Sequence, residues 1–286
     1  GRGRVIRRLS IVGLGLLGGS VAKAARAASL AREIVGVGRS AASLEPALRE
    51  GAVDHVTIDL AEGLKGADMV VLATPVTTLE RQLPSVWRAA DSQALLTDVG
   101  STKASIVRAA EALGVSRPLD FVGSHPMAGS NLSGFKVARA DLFNGATIIL
   151  TPTDRTPTDA VKRVTEFWEA LGGRVTSMDP ATHDRAVAAI SHLPHLVVDA
   201  LVAAVGDMDP RFLEVAARGF KDTTRIAASD PVVWREIFQQ NREALGEALA
   251  AFRRALGSLE RLLESGDDAA IEAALERIRK TRAELG

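Results

Sequence analysis

From residue 5 to about residue 178 the chain alternates short apolar runs with longer stretches of helical pattern. The runs at 9–12, 34–37, 69–72, 94–97, 120–123, 147–150 and 173–176 are rich in Val and Ile, as strands buried on both faces of a parallel sheet are. The amphipathic stretches between them read as helices. Strand and helix in regular alternation predict a doubly wound α/β domain with a mainly parallel sheet. After Asp179-Pro180 the strand signals stop. Helical patterns follow at 181–205 and before Gly219, then from Pro231 to about Glu264. That last stripe holds Val233, Ile237, Asn241, Leu245, Leu249, Phe252, Leu256, Leu259 and Leu263 at spacings of three and four. Ser265-Gly266-Asp267 ends it, and a final helix carries Ile271, Leu275 and Ile278 on one face.

The pattern divides the chain into a dinucleotide-binding domain of the Rossmann type at 1–178 and an all-α domain at 179–286. A helix running unbroken from 231 to 264 would span roughly 50 Å at about 1.5 Å per residue. That is longer than a small domain is wide, so the second domain is expected to dimerise, giving a homodimer. Composition narrows the classes. With 35 basic and 35 acidic residues the net charge is zero, which argues against a nucleic-acid partner. The absence of cysteine removes disulfide and thiolate chemistry and fits a reducing, cytoplasmic setting. Residues 1–8 are basic but lead straight into a strand, without the form of a signal peptide. No apolar run approaches the ~20 residues of a membrane helix, so no membrane association is expected.

Candidate chemistry begins at Gly13-Leu14-Gly15-Leu16-Leu17-Gly18, between the first strand and a helix. The first glycine permits the tight turn, the second lets backbone approach a pyrophosphate, and the third lets helix pack on strand. The helix N-terminus adds free N–H groups and its positive dipole end. At the end of the second strand stand Arg39 and Ser40, where an NAD enzyme usually has an acidic residue for the ribose; an arginine suits a 2′-phosphate, which favours NADP and leaves NAD open. Thr74-Pro75 and Asp98-Val99-Gly100-Ser101 follow later strands, where open α/β sheets place their ligand crevice.

Ser124-His125-Pro126-Met127-Ala128-Gly129 lands at the same sheet edge. A substrate that gives up a hydride beside a hydroxyl needs a base for the hydroxyl proton, and histidine titrates near neutrality. Ser101, on a neighbouring strand end, is placed to orient that imidazole. Ser191-His192-Leu193-Pro194-His195 interrupts the helical pattern that begins near His183-Asp184. Without cysteine or a convincing third ligand this pair of histidines does not make a metal site. A kink at Pro194, or donors to an anionic substrate, remain open. In Gly219-Phe220-Lys221-Asp222-Thr223-Thr224-Arg225, a helix would put Lys221 and Arg225 on one face, suited to carboxylates.

Together these motifs, with Asp98-Val99-Gly100-Ser101-Thr102-Lys103, resemble those of the prephenate/arogenate dehydrogenase family, in family order over nearly the whole chain. The His125, His192 and Arg225 segments are far more specific than the glycine motif. The resemblance implies oxidative decarboxylation of prephenate or arogenate with NAD(P)⁺ on the way to tyrosine. It implies His125 as the base, Ser101 as its hydrogen-bond partner near the nicotinamide, Arg225 on the ring carboxylate and His195 on the side-chain carboxylate. Lys221 and Trp234 would shape the pocket. Asp222 could pair with the ammonium of arogenate, giving that substrate a slight edge. The chain resembles the short, monofunctional form. Two other readings stand beside it: an aliphatic hydroxyacid dehydrogenase of similar architecture, usually reliant on a lysine base, and a dinucleotide-sensing protein without catalysis.

Overall fold

The computed structural model of the chain describes residues 6–129 and 133–285, so most of the basic segment 1–8 lies outside them. Eight strands form one sheet: β1 (Ile6–Val12), β2 (Ala31–Val37), β3 (His55–Thr57), β4 (Met69–Leu72), β5 (Leu95–Asp98), β6 (Asp120–Pro126), β7 (Thr147–Thr151) and β8 (Arg174–Ser177). Their order is β3-β2-β1-β4-β5-β6-β7-β8, and every neighbouring pair is parallel except β6 and β7. Strand order reverses between β1 and β4, the point at which such sheets open a crevice.

Helices α1 (Leu16–Ala27), α2 (Ala41–Arg49), α3 (Leu60–Leu64), α4 (Val76–Ala89), α5 (Ala104–Ser116) and α6 (Thr158–Ala170) connect the strands. Adjacent strand residues point to opposite faces, which builds two cores. Leu9 and Ile11 pack with Val21, Ala25, Phe167 and Trp168 of α1 and α6. Val12, Val70 and Leu72 pack with Leu79, Leu83, Trp87 and Ile106 of α4 and α5.

The remaining helices are α7 (Pro180–Val187), α8 (Leu193–Met208), α9 (Arg211–Glu214), α10 (Arg218–Thr224), α11 (Pro231–Gln240), α12 (Arg242–Ser265) and α13 (Asp268–Ala283). Four features differ from expectation. The edge strand β3 is three residues with an exposed His55, too short and polar for an apolar run to announce. Strand β6 extends through His125 to Pro126, because its second half, 123–126, pairs antiparallel with β7. The segment around Pro194 does not interrupt its helix. A π-helical turn at Ala188–His192 joins α7 to α8, and Pro194 follows it directly without breaking the run. The resulting helix, Pro180–Met208, is long and apolar enough by length and composition to cross a membrane, which corrects the expectation that no segment reaches that length. His183, His192 and His195 along it are buried against the protein's own polar groups.

The fourth difference is at Asn241, where the long helix breaks into α11 and α12 (φ −110°, ψ 29°). Asn241 falls in the apolar stripe and is buried. Its amide donates to the carbonyl of Asp184 at 2.7 Å and meets His192 Nδ1 at 3.2 Å. A buried amide must find partners, and these lie off the axis a continuous helix would follow. Gly266 then closes α12 in the left-handed region (φ 63°), and the Asp267 carboxylate caps α13 by accepting from Ala270 N–H.

Candidate active site

Where β1 ends, Gly13 turns the chain with φ 96°, donates to Val37 O at 2.8 Å, and leaves no room for a Cβ, which would stand 2.9 Å from Ala73 O. Gly15 is different: a Cβ there would meet nothing within 4 Å. As the N-cap of α1 it supplies no side-chain cap, so the first-turn N–H groups of Leu16, Leu17 and Gly18 face open space at the positive end of the helix dipole. That cradle fits a dinucleotide pyrophosphate. Arg39 and Ser40 are exposed at the end of β2. Ser40 caps α2, and Arg39 has no ion-pair partner among the described residues. Thr74 Oγ1 donates to Gln82 at 3.3 Å, and Pro75 is exposed at the N-cap of α4.

The chain beyond His125 folds back onto α1. Phe135 and Ala138 pack so closely on Gly19 that a Cβ there would lie 2.6 Å from the Phe135 ring. Lys23 Nζ donates to Ala138 O at 2.9 Å, and Arg139 N–H donates to Ser20 Oγ at 3.1 Å.

His125 itself is half-buried on a strand end held by a buried polar cluster. Its neighbour Ser124 donates from its N–H to Asp98 Oδ1 at 3.1 Å and receives the Trp168 indole N–H at 3.1 Å. Ser124 O accepts from Lys103 Nζ at 3.0 Å, and Lys103 is ion-paired with Asp98, both fully buried. The His125 Nδ1 lies 2.9 Å from His183 Nε2, and His183 Nδ1 lies 2.8 Å from Asp184 Oδ1. Burial above all, then His183, Lys103 and His192, push His125 well below the usual histidine pKa. The ring is therefore neutral near pH 7.

The helical part closes over this edge through α11. Thr77 Oγ1 donates to Glu236 at 3.1 Å and Thr102 Oγ1 to Gln240 at 3.2 Å. Trp234 of α11 stacks on the His195 ring, centroids 3.4 Å apart and planes 14° apart. His195 is buried, its Nε2 is 3.7 Å from Asp199, and its Nδ1 has no partner, as is also true of Gln240 Nε2. Two orphaned buried polar atoms at one edge are unmet donors or acceptors that a ligand can satisfy. Lys221 and Arg225 are exposed and have no ion pair among the described residues. Their segment packs on α8, the helix that carries His195. Asp222 pairs with Arg218 at 3.2 Å in an exposed position.

The structure thus brings Gly13, Gly15, Thr74 and His125 to one end of the sheet, with Trp234 and His195 beside it on the helical side. It gives His125 a different partner from the expected Ser101: His183 occupies Nδ1, and no hydrogen bond joins Ser101 to the imidazole. Sequence reading had missed His183, Asp184, the Asp98–Lys103 pair and the Phe135 contact on Gly19. The signals were the polar pair His183-Asp184 ahead of an apolar helical stretch, and Asp98 and Lys103 within one motif, whose pairing nothing local announces.

Known proteins carry the same two-part arrangement. The family described as "Prephenate dehydrogenase, nucleotide-binding domain" matches residues 21–177, and "Prephenate dehydrogenase, dimerization domain" matches residues 179–277. A prephenate dehydrogenase of Bacillus subtilis is 34% identical over 261 residues, 90% of this chain and 70% of that protein. The crystal structure of prephenate dehydrogenase from A. aeolicus in complex with hydroxyphenyl propionate and NAD⁺ superposes with a TM-score of 0.92 at 33% identity, over 100% of both chains. That of Synechocystis arogenate dehydrogenase gives 0.87 at 30% identity, over 98% of this chain and 100% of that one. The chain described here belongs to the prephenate dehydrogenase family.

Proposed function

We propose that the chain is a dehydrogenase that oxidatively decarboxylates prephenate or arogenate, with arogenate slightly ahead, in tyrosine biosynthesis. The observation that carries this reading is His125, neutral, half-buried and fixed at the sheet edge beside an open phosphate cradle. A nicotinamide dinucleotide bound there supplies the hydride acceptor. His125 takes the proton of the 4-hydroxyl as the ring C4–H bond breaks. The carbonyl that develops draws in the electrons of the bond to the C1 carboxylate, carbon dioxide leaves and the ring becomes aromatic.

Arg225 takes the ring carboxylate and His195 the side-chain carboxylate, a role to which its orphaned Nδ1 lends support. Lys221 and Trp234 shape the pocket, and Ser101 stands on the nicotinamide side. Asp222 accounts for the lean to arogenate, because its exposed bond to Arg218 exchanges readily for a substrate ammonium. Arg39, free of any ion pair among the described residues, favours NADP over NAD. We place the boundary between cofactor and substrate domains at 178/179 and the enzyme in the cytoplasm. We pair the protein as a homodimer through its helices, whose Leu256, Leu263, Leu275 and Ile278 are exposed.

The test is to mix the protein with prephenate or arogenate, each with NADP⁺ or NAD⁺, and follow reduced-nicotinamide absorbance. Signal in any mixture supports the reaction, and the strongest pair decides substrate and cofactor. Silence in all four from a protein that still binds a dinucleotide overturns it, and activity on prephenate alone overturns the role of Asp222.

A further inference from the structure

We propose that His183 and Asp184 are positioning residues that fix the tautomer of His125, so that its Nε2 is the basic nitrogen. This rests on the reading of His125 as the base, and it follows from counting donors. The Asp184 carboxylate accepts the Lys103 N–H at 2.7 Å through Oδ1 and the Ala104 N–H at 2.9 Å through Oδ2. Those groups open α5, a helix of 13 residues, whose positive end favours a carboxylate in place. Burial works against that charge, but the hydrogen bond from His183 and the two backbone N–H groups outweigh it and hold the Asp184 pKa below the ordinary range.

An ionised carboxylate only accepts. The His183 nitrogen facing it, Nδ1 at 2.8 Å, therefore carries a hydrogen. In a neutral imidazole the other nitrogen is then bare, so His183 Nε2 accepts from His125 Nδ1–H across 2.9 Å. The proton of neutral His125 is committed to Nδ1, and Nε2 keeps its lone pair on the opposite edge of the ring. His183 is wholly buried, so water does not compete for either bond.

The surroundings keep this chain in register. His125 is faced by His183 and Asp184 from α7, by Lys103 from the start of α5, by Asp98 from β5 through Lys103, and by His192 from the π-helical turn. Asn241 of the α11–α12 joint ties the Asp184 carbonyl to His192. When His125 takes up a proton at Nε2, His183 and the anchored carboxylate behind it stabilise the imidazolium. A side chain that only filled space at position 183 would do neither.

The chain has only five histidines, so ring nitrogens of the full-length protein labelled with ¹⁵N-histidine can be assigned by single substitutions. Without substrate near pH 7, His125 should show a protonated, pyrrole-type Nδ1 and a bare, pyridine-type Nε2. Protonated Nε2, or rapid averaging of the two forms, overturns the proposal whatever the substrate proves to be. Asp184→Asn presents an amide to His183 and should scramble the tautomer, lowering kcat by about 10²- to 10⁴-fold, the range of general-base help. KM and the Kd for NAD⁺ or NADP⁺ should stay within about twofold. His183→Gln, with an amide oxygen near the lost Nε2, should keep at least ~10-fold more turnover than His183→Phe. Equal rates for the two, or a loss that tracks dinucleotide affinity instead of kcat, would reduce these residues to packing.

Discussion

The His125 end and the Arg225 end of the candidate site are built on opposite plans. Around His125 the polar neighbours are partnered and mostly buried: Asp98 with Lys103, Ser124 with Trp168, His183 with the part-buried Asp184. Around Arg225 and Lys221 the cations are exposed and unpaired among the described residues, on short helices that pack on α8. The first region is finished by the chain itself, so its groups are pre-organised before any ligand arrives. The second keeps its charges in water until a ligand of opposite charge desolvates them. Side-chain orientation is thus settled in advance at His125, while at Arg225 and Lys221 any anion would be drawn by Coulomb attraction alone.

That contrast can be broken most sharply at its centre. His125→Asn should lower kcat by about 10²- to 10⁴-fold while leaving dinucleotide affinity nearly intact; near-normal turnover in the coupled absorbance assay would remove His125 from the chemistry. Next in size is Lys103→Met. It leaves Asp98 buried without its cation, which costs about 3–5 kcal/mol in stability when one partner of a buried pair is removed, read as a drop in the denaturation midpoint. A midpoint unchanged within error would mean that the buried pair contributes nothing to stability.

The third probe is pH. Burial above all, with help from His183 and His195 and against Asp184, lowers the His192 pKa to about 4 from 6.5. Between those values the unfolded chain holds a proton that the folded one does not. Stability from this group is therefore full above pH 6.5 and falls as pH drops towards 4, by up to about 3 kcal/mol at ~1.4 kcal/mol per unit. His192→Asn should flatten thermal-unfolding data across that window, and an unaltered slope would place the acid sensitivity elsewhere. If His125 is the base proposed, its own lowered pKa should place the acid limb of kcat/KM below the ordinary histidine range, and a limb at or above that range would count against it. The smallest effects belong to the exposed end. Arg225→Ala should raise KM roughly 10- to 100-fold, a charge-assisted contact of about 1.5–3 kcal/mol, with kcat little changed; an unaltered KM would place the carboxylate elsewhere.

How much of this the chain announced follows the same division. The α/β alternation, the glycine turn and the helical second half were legible, because period and turn chemistry are local. So was the His125 segment, through its place after a strand. The network behind it was not. His183 is 58 positions from His125, and the contact exists only because α7 packs against β7 and α5. Asn241 looked like one polar residue in an apolar stripe, yet it ends a helix because its amide is committed to Asp184 and His192. Nor could periodicity reveal that β7 would run antiparallel and lengthen β6 past His125. Patterns along a chain report which face is buried. They are silent on which buried polar groups will meet.

The clamp of Phe135 and Ala138 on Gly19 bears on how such a protein could be recombined. Phe135, Ala138 and Arg139 pack on α1, fastened by Lys23 and Ser20. Any side chain larger than glycine at position 19 would take away the seat for that ring, since even a Cβ would lie 2.6 Å from it. Modular exchange at the domain boundary would preserve this seam, whereas a cut between α1 and β6 would tear it. The natural unit of inheritance is therefore the whole sheet, with its looping strap, and not the glycine fingerprint at its head.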